Sequence, residues 1–125
     1  MREFEKKRVR HYEIDGWLIL VGKTDRDNDY VSTILTQDED LWFHVEGCPG
    51  SHGIICHREG LEPPRSVVEV AASAVAYYSK ARNAKKVLVG MTLGANVSKK
   101  KGLARGQVLV KKMKSIKVVP SLPEA

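Results

Sequence analysis

The sequence lacks the features that mark secreted and membrane proteins. Among its 125 residues there are only two cysteines, Cys48 and Cys56, which are too few for a disulfide framework. No stretch approaches the ~18 consecutive apolar residues of a membrane span, and no apolar run of a secretory signal follows the charged segment Met1–Arg10. We therefore expect a cytoplasmic protein whose thiols are free and which has no membrane partner.

Acidic residues are almost missing from the C-terminal part of the chain. From Lys80 to Ala125 there are 12 Lys and Arg residues and one acid, Glu124, for a net charge of +11. Up to Ser79, 9 basic and 14 acidic residues give −5, so the overall charge of +6 conceals a polarised chain. Such a basic segment repels itself unless a polyanion binds it, which favours a nucleic-acid partner over a merely solvated face.

The hydrophobic pattern predicts a single α+β domain over residues 1–125, with its core over about residues 9–119. Asp15-Gly16 between two β-rich runs is typical of a two-residue hairpin turn. Pro49-Gly50 predicts a type II turn with positive φ at Gly50. Strands are predicted at residues 9–14, 17–21, 41–45, 52–56, 86–93, 107–112 and 115–119.

Two helices are predicted between these strands. Ser66-Val-Val-Glu69 matches a capping box and starts a long apolar helix that should end near Asn83. A short second helix should begin at Asp27 or Asn28 and end near Leu35. We expect a mainly antiparallel sheet with the long, buried helix packed on one face.

The Gly-rich basic loop, residues 97–106, is the most informative segment for function. Four cations, Lys99, Lys100, Lys101 and Arg105, stand beside Gly102, where the backbone can approach a phosphate closely. The spacing is not that of a nucleotide-binding P-loop. The loop therefore predicts phosphate contacts, with a solvated hairpin tip as the alternative.

Aromatic and imidazole side chains surround the turn at Gly50. Trp42 and His44 share one face of a strand and could stack on an unpaired base, although Trp42 taken alone is more simply a core residue. His44 and His52, with Ser51, could form an acid–base pair or a phosphate cradle. Histidines and cysteines from His44 to His57 follow no familiar zinc spacing, and no cofactor fingerprint occurs, so we expect no metal and no cofactor.

In this order the motifs resemble the NFACT-R domain, the RNA-binding module of the NFACT proteins. The resemblance extends over about Val9 to Val119. The matching segments are Gly22 followed by Asn28-Asp29, Asp40-Leu-Trp-Phe-His44, Pro49-Gly-Ser-His52, Glu69-Val-Ala-Ala72, Tyr78-Ser-Lys-Ala-Arg82, and Val97-Ser-Lys-Lys-Lys-Gly102 with Gly106. The N-terminal region, helix–hairpin–helix and coiled coil of full-length NFACT proteins are not in this sequence, which looks like the free-standing bacterial form.

The resemblance implies binding of tRNA or ribosomal RNA, with the large ribosomal subunit as a candidate partner in ribosome-associated quality control. Carried over position by position, it implies these functional residues: Asn28, Asp40, Trp42, His44, Ser51, His52, Ser79, Arg82, Lys99, Lys101 and Gly102. A non-catalytic RNA-binding module is the first hypothesis. An RNA-processing or tRNA-modifying enzyme that uses His44 and His52 is the second. A protein-interaction domain that docks on an acidic partner or a ribosomal protein is the third.

Overall fold

Eight strands and two helices follow one another in a computed structural model that describes residues 2–123. The strands are β1 (Val9–Ile14), β2 (Trp17–Gly22), β3 (Leu41–Val45), β4 (His52–Ile55), β5 (Val87–Leu93), β6 (Val97–Ser98), β7 (Leu109–Val110) and β8 (Lys114–Val118). Six of them form one sheet in the order β1-β2-β4-β3-β5-β8, and every neighbouring pair is antiparallel. β6 and β7 pair separately as a short hairpin. The predicted α+β class with a mainly antiparallel sheet is confirmed.

The first hairpin illustrates how local sequence sets the register. Asp15 and Gly16 both have positive φ, 51° and 85°, and Ile14 pairs directly with Trp17. A two-residue turn of this kind matches the right-handed twist of its strands and tolerates Asp and Gly best. The hairpin predicted from Asp15-Gly16 is therefore confirmed.

The two faces of the sheet are covered by different helices. Helix α1 (Asp25–Asp29) continues directly into a π-helical segment (Tyr30–Leu35) on one face, and helix α2 (Arg65–Tyr77) covers the other. Along β3 the side chains alternate, so Phe43 packs under α2 whereas Trp42 packs under the π-helical segment. Each face thus has its own apolar core.

Helix α2 is shorter than the sequence indicates. It begins after Pro64, and no side chain caps its first turn; Glu69 instead pairs with Arg65 through a contact of 3.0 Å. The predicted capping box at Ser66 is wrong because the helix begins at Arg65 with Pro64 as its N-cap, which leaves Ser66 inside the first turn.

The C-terminal end of α2 at Tyr77 also differs from the predicted end near Asn83. Beyond it the backbone pairs with the turn that precedes β4: Ser51 N–H donates to the Tyr78 carbonyl at 3.1 Å, and Lys80 N–H donates to the Pro49 carbonyl at 3.2 Å. This long-range pairing takes the place of further helical turns.

The first helix begins earlier than predicted. The Thr24 hydroxyl, not Asp27 or Asn28, caps α1 by accepting the N–H of Asp27 at 3.2 Å. The following segment widens into a π-helix, whose last hydrogen bond runs from the Thr36 N–H to the Val31 carbonyl at 2.9 Å.

The strand predicted at residues 107–112 is shorter in the structure, where it comprises Leu109–Val110. Within residues 2–123, no helix is both long and apolar enough to cross a membrane.

Candidate nucleic-acid interface

A cleft of about 370 Å³ opens where the end of β2, the turn before β4 and the end of α2 meet. We call it the basic cleft, because four cations line it: Arg10, Lys23, Lys80 and Arg82. The predicted residues Asn28, Ser51 and Ser79 line it too, and Asp25 is the acid in the lining. Four of the expected functional residues, including Arg82, are thus brought together from three separate parts of the chain.

The floor of the basic cleft depends on the absence of a side chain at Gly50. Gly50 forms an isolated antiparallel bridge with Ser79, and a Cβ added at Gly50 would lie 2.6 Å from the Ser79 Cβ. The predicted positive φ at Gly50 is wrong; Gly47 carries the positive φ in this turn, at 82°. Close approach of two backbone segments, not turn geometry, therefore requires the glycine at position 50.

Asn28 and Ser79 shape the basic cleft through their own hydrogen bonds. The buried Asn28 carboxamide oxygen accepts the N–H of His52 at 3.1 Å and so ties α1 to β4. The Ser79 hydroxyl donates to the Ala76 carbonyl at 2.6 Å and accepts the N–H of Ala81 at 3.0 Å. These bonds hold the segment after α2 in the turn that carries Lys80 and Arg82.

Two arginines at the rim lie over tyrosine rings. The guanidinium carbon of Arg10 is 4.0 Å from the centre of the Tyr78 ring, and that of Arg82 is 4.1 Å from the centre of the Tyr77 ring. Burial and the 2.6 Å hydrogen bond to the Tyr78 hydroxyl raise the pKa of Tyr12 well above its usual value, so Tyr12 adds no negative charge.

The charge of the basic cleft is not neutralised from within. Over residues 2–123, no carboxylate forms an ion pair with Arg10, Lys23, Lys80 or Arg82. Opposite the four cations stands the single carboxylate of Asp25. The cleft therefore keeps a net positive charge that suits a phosphate.

The basic loop, residues 97–106, is organised around the carboxylate of Asp29. The Lys99 ammonium donates to both Asp29 oxygens at 3.0 Å and to the carbonyls of Ala104 at 2.6 Å and Gln107 at 3.0 Å. The N–H of Gly106 donates to the same carboxylate at 3.1 Å. Lys99, predicted to contact phosphate, is thus committed to internal contacts. Its partner Asp29 was missed, although it follows Asn28 directly in the motif.

The remaining cations of the basic loop point outward. Lys100, Lys101 and Arg105 are exposed, and none of them forms an ion pair with a carboxylate of the described chain. Gly102 has a φ of 96° and nothing within 4 Å of where a Cβ would stand. An open turn with exposed cations fits the predicted contact with a polyanion backbone.

Trp42 and His52 are buried and form a cluster with the half-buried His44, instead of an open stacking platform. Trp42 is 1% exposed, and its Nε1–H donates to the Ser32 hydroxyl at 2.8 Å. That hydroxyl lies 2.7 Å from Nδ1 of His52. His44 stacks on Trp42 at 6.1 Å and meets His52 edge-on at 5.0 Å, measured between ring centroids. Trp42 therefore takes the core position and not the base-stacking one.

The two imidazoles are electrically neutral near pH 7. Burial, followed by the neighbouring His44, lowers the pKa of His52 to about 4. Burial also lowers the pKa of His44. Both rings face a cavity of about 450 Å³ that the chain around Val108 covers, whereas Ser51 lines the basic cleft. The candidate acid–base set of His44, His52 and Ser51 is therefore divided between two cavities.

Asp40 lies at the other end of the sheet from the basic cleft. Its buried carboxylate accepts two hydrogen bonds from the Arg2 guanidinium at 2.6 and 2.9 Å. It also accepts the backbone N–H groups of Gln37 and His57, each at 2.7 Å. These contacts tie the N-terminal segment and two loops to the start of β3, so the structure gives Asp40 a structural role.

Of the histidines and cysteines from His44 to His57, only His57 lies in a group of possible metal ligands within the part of the chain that the structure describes. The half-buried His57 and the exposed Glu39 and Glu59 bring ligand atoms within 4.8 Å of one another. Burial raises the pKa of Cys56 to about 12, which keeps it a thiol and a poor ligand.

Comparison with known proteins points to one family. The family model described as NFACT protein RNA binding domain matches residues 7–112. A protein named Rqc2 homolog RqcH from Bacillus subtilis is 35% identical over 105 residues, which cover 84% of this chain and 18% of the relative. Its counterpart from Streptococcus suis is 35% identical over 117 residues, which cover 93% of this chain and 21% of the relative. The chain thus spans about a fifth of the length of these curated relatives.

A solved structure shows the same fold. It is described as the C-terminal of the fibronectin/fibrinogen-binding protein from Streptococcus suis, and it superimposes with a TM-score of 0.83 at 34% identity. The superposition covers 95% of this chain and 47% of that one.

Proposed function

Because this chain belongs to the NFACT protein RNA-binding domain family, we propose that it binds tRNA or ribosomal RNA through the basic cleft and the basic loop together. The observation that carries the proposal is the group of four cations in the cleft that no carboxylate of residues 2–123 neutralises. Phosphate contacts by Lys and Arg supply most of the sequence-independent affinity for nucleic acids.

The position of α1 supports a continuous RNA-binding surface. Asp25, the first residue of α1, lines the basic cleft. The same side chain is close to the basic loop, because it lies 3.2 Å from the place where a Cβ of Gly106 would stand. Asn28 faces the cleft, and the next residue, Asp29, holds the loop. One RNA strand that crosses α1 can therefore contact cations of both segments.

We propose a non-catalytic role for this surface. The division of Ser51 and the two imidazoles between separate cavities gives an RNA-processing reaction little support. The identity with the RqcH proteins supports a place in ribosome-associated quality control, in the cytoplasm and in contact with the large subunit, as part of the same proposal. A docking site for an acidic protein has no observation of its own in its favour.

The test measures RNA affinity as a function of salt concentration. We expect Lys100→Ala with Lys101→Ala to weaken binding of labelled tRNA and ribosomal RNA fragments. The slope of log affinity against log salt should fall by about 0.7–0.9 for each phosphate that the variant no longer neutralises. The matched control is Arg65→Ala with Lys117→Ala, which removes the same charge at the far end of α2 and on the edge strand β8.

Two results would contradict the proposal. One is an unaltered salt slope in the loop variant. The other is an equal loss of affinity in the control variant, which would mean that net charge alone drives binding. If neither result is found, crosslinking in cells, followed by sequencing of the recovered RNA, would distinguish tRNA from ribosomal RNA as the partner.

A further inference from the structure

We propose that the basic cleft holds a single unpaired nucleotide, so that the domain prefers RNA with an extruded or terminal nucleotide to RNA that is fully paired. This inference rests on the proposed function, because it names the class of RNA that the same surface would select. Its basis is the difference in exposure between the residues that line the cleft, the arrangement of its arginines and its charge.

The polar residues that line the basic cleft fall into a buried set and an exposed set. Ser51 and Asn28, at its floor, are 6% and 4% exposed, whereas Lys23, Lys80 and Arg82 at the rim are exposed. The phosphates of a duplex lie on its outer surface and can meet the rim cations. Paired bases and their sugars remain behind those phosphates and cannot reach the floor. A nucleotide that has left its pair can enter, and a cleft of about 370 Å³ is of the size that holds a small ligand.

Arg82 at the rim combines a contact with an aromatic ring and exposure to solvent. Its guanidinium carbon lies 4.1 Å from the centre of the Tyr77 ring, and the residue as a whole is exposed. Unpaired RNA bases stack on arginine planes as well as on aromatic rings. Since the tyrosine already restrains the side chain, less conformational freedom is lost when a base stacks on it.

Arg10, the second arginine at the rim, is restrained as well. Arg10 lies over the Tyr78 ring and donates from Nη1 to the Gly22 carbonyl at 3.2 Å. The Tyr77 and Tyr78 rings are themselves edge-to-face, with centroids 5.3 Å apart. The two arginines are therefore held on adjoining rings at the rim of one cleft, where the phosphate and the base of a single nucleotide can be bound together.

The test compares three labelled RNA duplexes, each of two annealed strands, that share one paired sequence. One is blunt, one carries a single bulged nucleotide, and one carries a short 3′ overhang. We expect the protein to bind the bulged and overhanging RNAs roughly ten-fold more tightly than the blunt one, since stacking of one base on a side chain is commonly worth a factor of this order. Fluorescence anisotropy at one fixed salt concentration measures the ratio.

Two variants assign the preference to the basic cleft. Arg82→Lys keeps the charge and removes the plane, so the ratio should fall towards one. Lys101→Ala, in the basic loop, should lower the affinity for all three RNAs by the same factor and leave the ratio unchanged. Thermal unfolding checks that each variant is folded.

The outcomes separate this inference from the proposed function. Equal binding of the three duplexes by the unmodified protein would overturn the inference and leave RNA binding intact. A preference that survives in Arg82→Lys and in Arg82→Ala would also overturn it, because the cleft would not be its origin. Failure to bind any RNA would overturn both proposals.

Discussion

Lys99 offers the sharpest test of the structure, because its position in a basic run suggests an RNA contact whereas its geometry indicates an internal one. Its ammonium makes four contacts of 2.6–3.0 Å with Asp29, Ala104 and Gln107. We predict that Lys99→Ala lowers the stability of the domain and loosens the basic loop, without removing a phosphate contact.

The magnitude follows from the contacts and their exposure. Hydrogen bonds to charged groups contribute about 1.5–3 kcal/mol when buried, and exposed ion pairs contribute about 0–1 kcal/mol. The side chains of Lys99 and Asp29 are 25% and 21% exposed, between these limits. We therefore expect the free energy of unfolding to fall by about 1–2 kcal/mol, and Tm to fall by roughly 4 °C per kcal/mol.

Three measurements check the prediction. Hydrogen exchange at the Gly106 amide, which donates to Asp29, should be faster in Lys99→Ala. In a double-mutant cycle with Asp29→Asn, the double variant should lose little more stability than either single variant. The salt slope of RNA binding should stay unchanged in Lys99→Ala and fall by about 0.7–0.9 in Lys101→Ala.

The reasoning would be refuted by the reverse pattern. If Lys99→Ala leaves stability and the Gly106 exchange rate unaltered but lowers the salt slope by the amount expected for one phosphate, then Lys99 contacts RNA directly. Its interaction with Asp29 would then be replaceable by water.

Two further predictions concern buried polar groups away from the RNA surface. Asp40→Ala leaves the Arg2 guanidinium without its buried partner, so we expect the free energy of unfolding, measured in urea, to fall by about 3–5 kcal/mol. The salt slope of RNA binding should stay unaltered in the folded fraction. A fall below about 1 kcal/mol would contradict the structural role of Asp40. His52 has a pKa of about 4 in the folded protein, below its ordinary value of 6.5. Because the unfolded chain binds more protons between these pH values, the free energy of unfolding should fall as the pH decreases from about 6.5 to 4, by up to about 3 kcal/mol. His52→Gln should reduce this pH dependence and leave the part that the buried His44 contributes, whereas His11→Gln at an exposed position should keep all of it; an equal slope in both variants would exclude His52 as a cause.

Local sequence was sufficient for the parts of the fold in which neighbouring residues decide the conformation. Asp15-Gly16 determined the first hairpin because few other residue pairs accept two positive φ values. Alternating apolar residues determined that Phe43 and Trp42 lie on opposite faces of the sheet. The order of motifs identified the family even though several of their residues have structural roles.

Long-range contacts decided what the local pattern could not. Residues after Tyr77 have a helical pattern, yet their backbone pairs with the segment before β4, and that pairing ends the helix. A Cβ at position 50 would prevent this approach, so Gly50 is explained by Ser79, a residue far along the chain.

Three consecutive lysines show the division most clearly. In the sequence, Lys99, Lys100 and Lys101 are equivalent cations, and their charge alone predicts a polyanion partner. Only the fold places the Asp29 carboxylate within 3.0 Å of the first and leaves the other two exposed. The number of charges is a property of the sequence, whereas which of them are available to RNA depends on distances that only the tertiary structure sets.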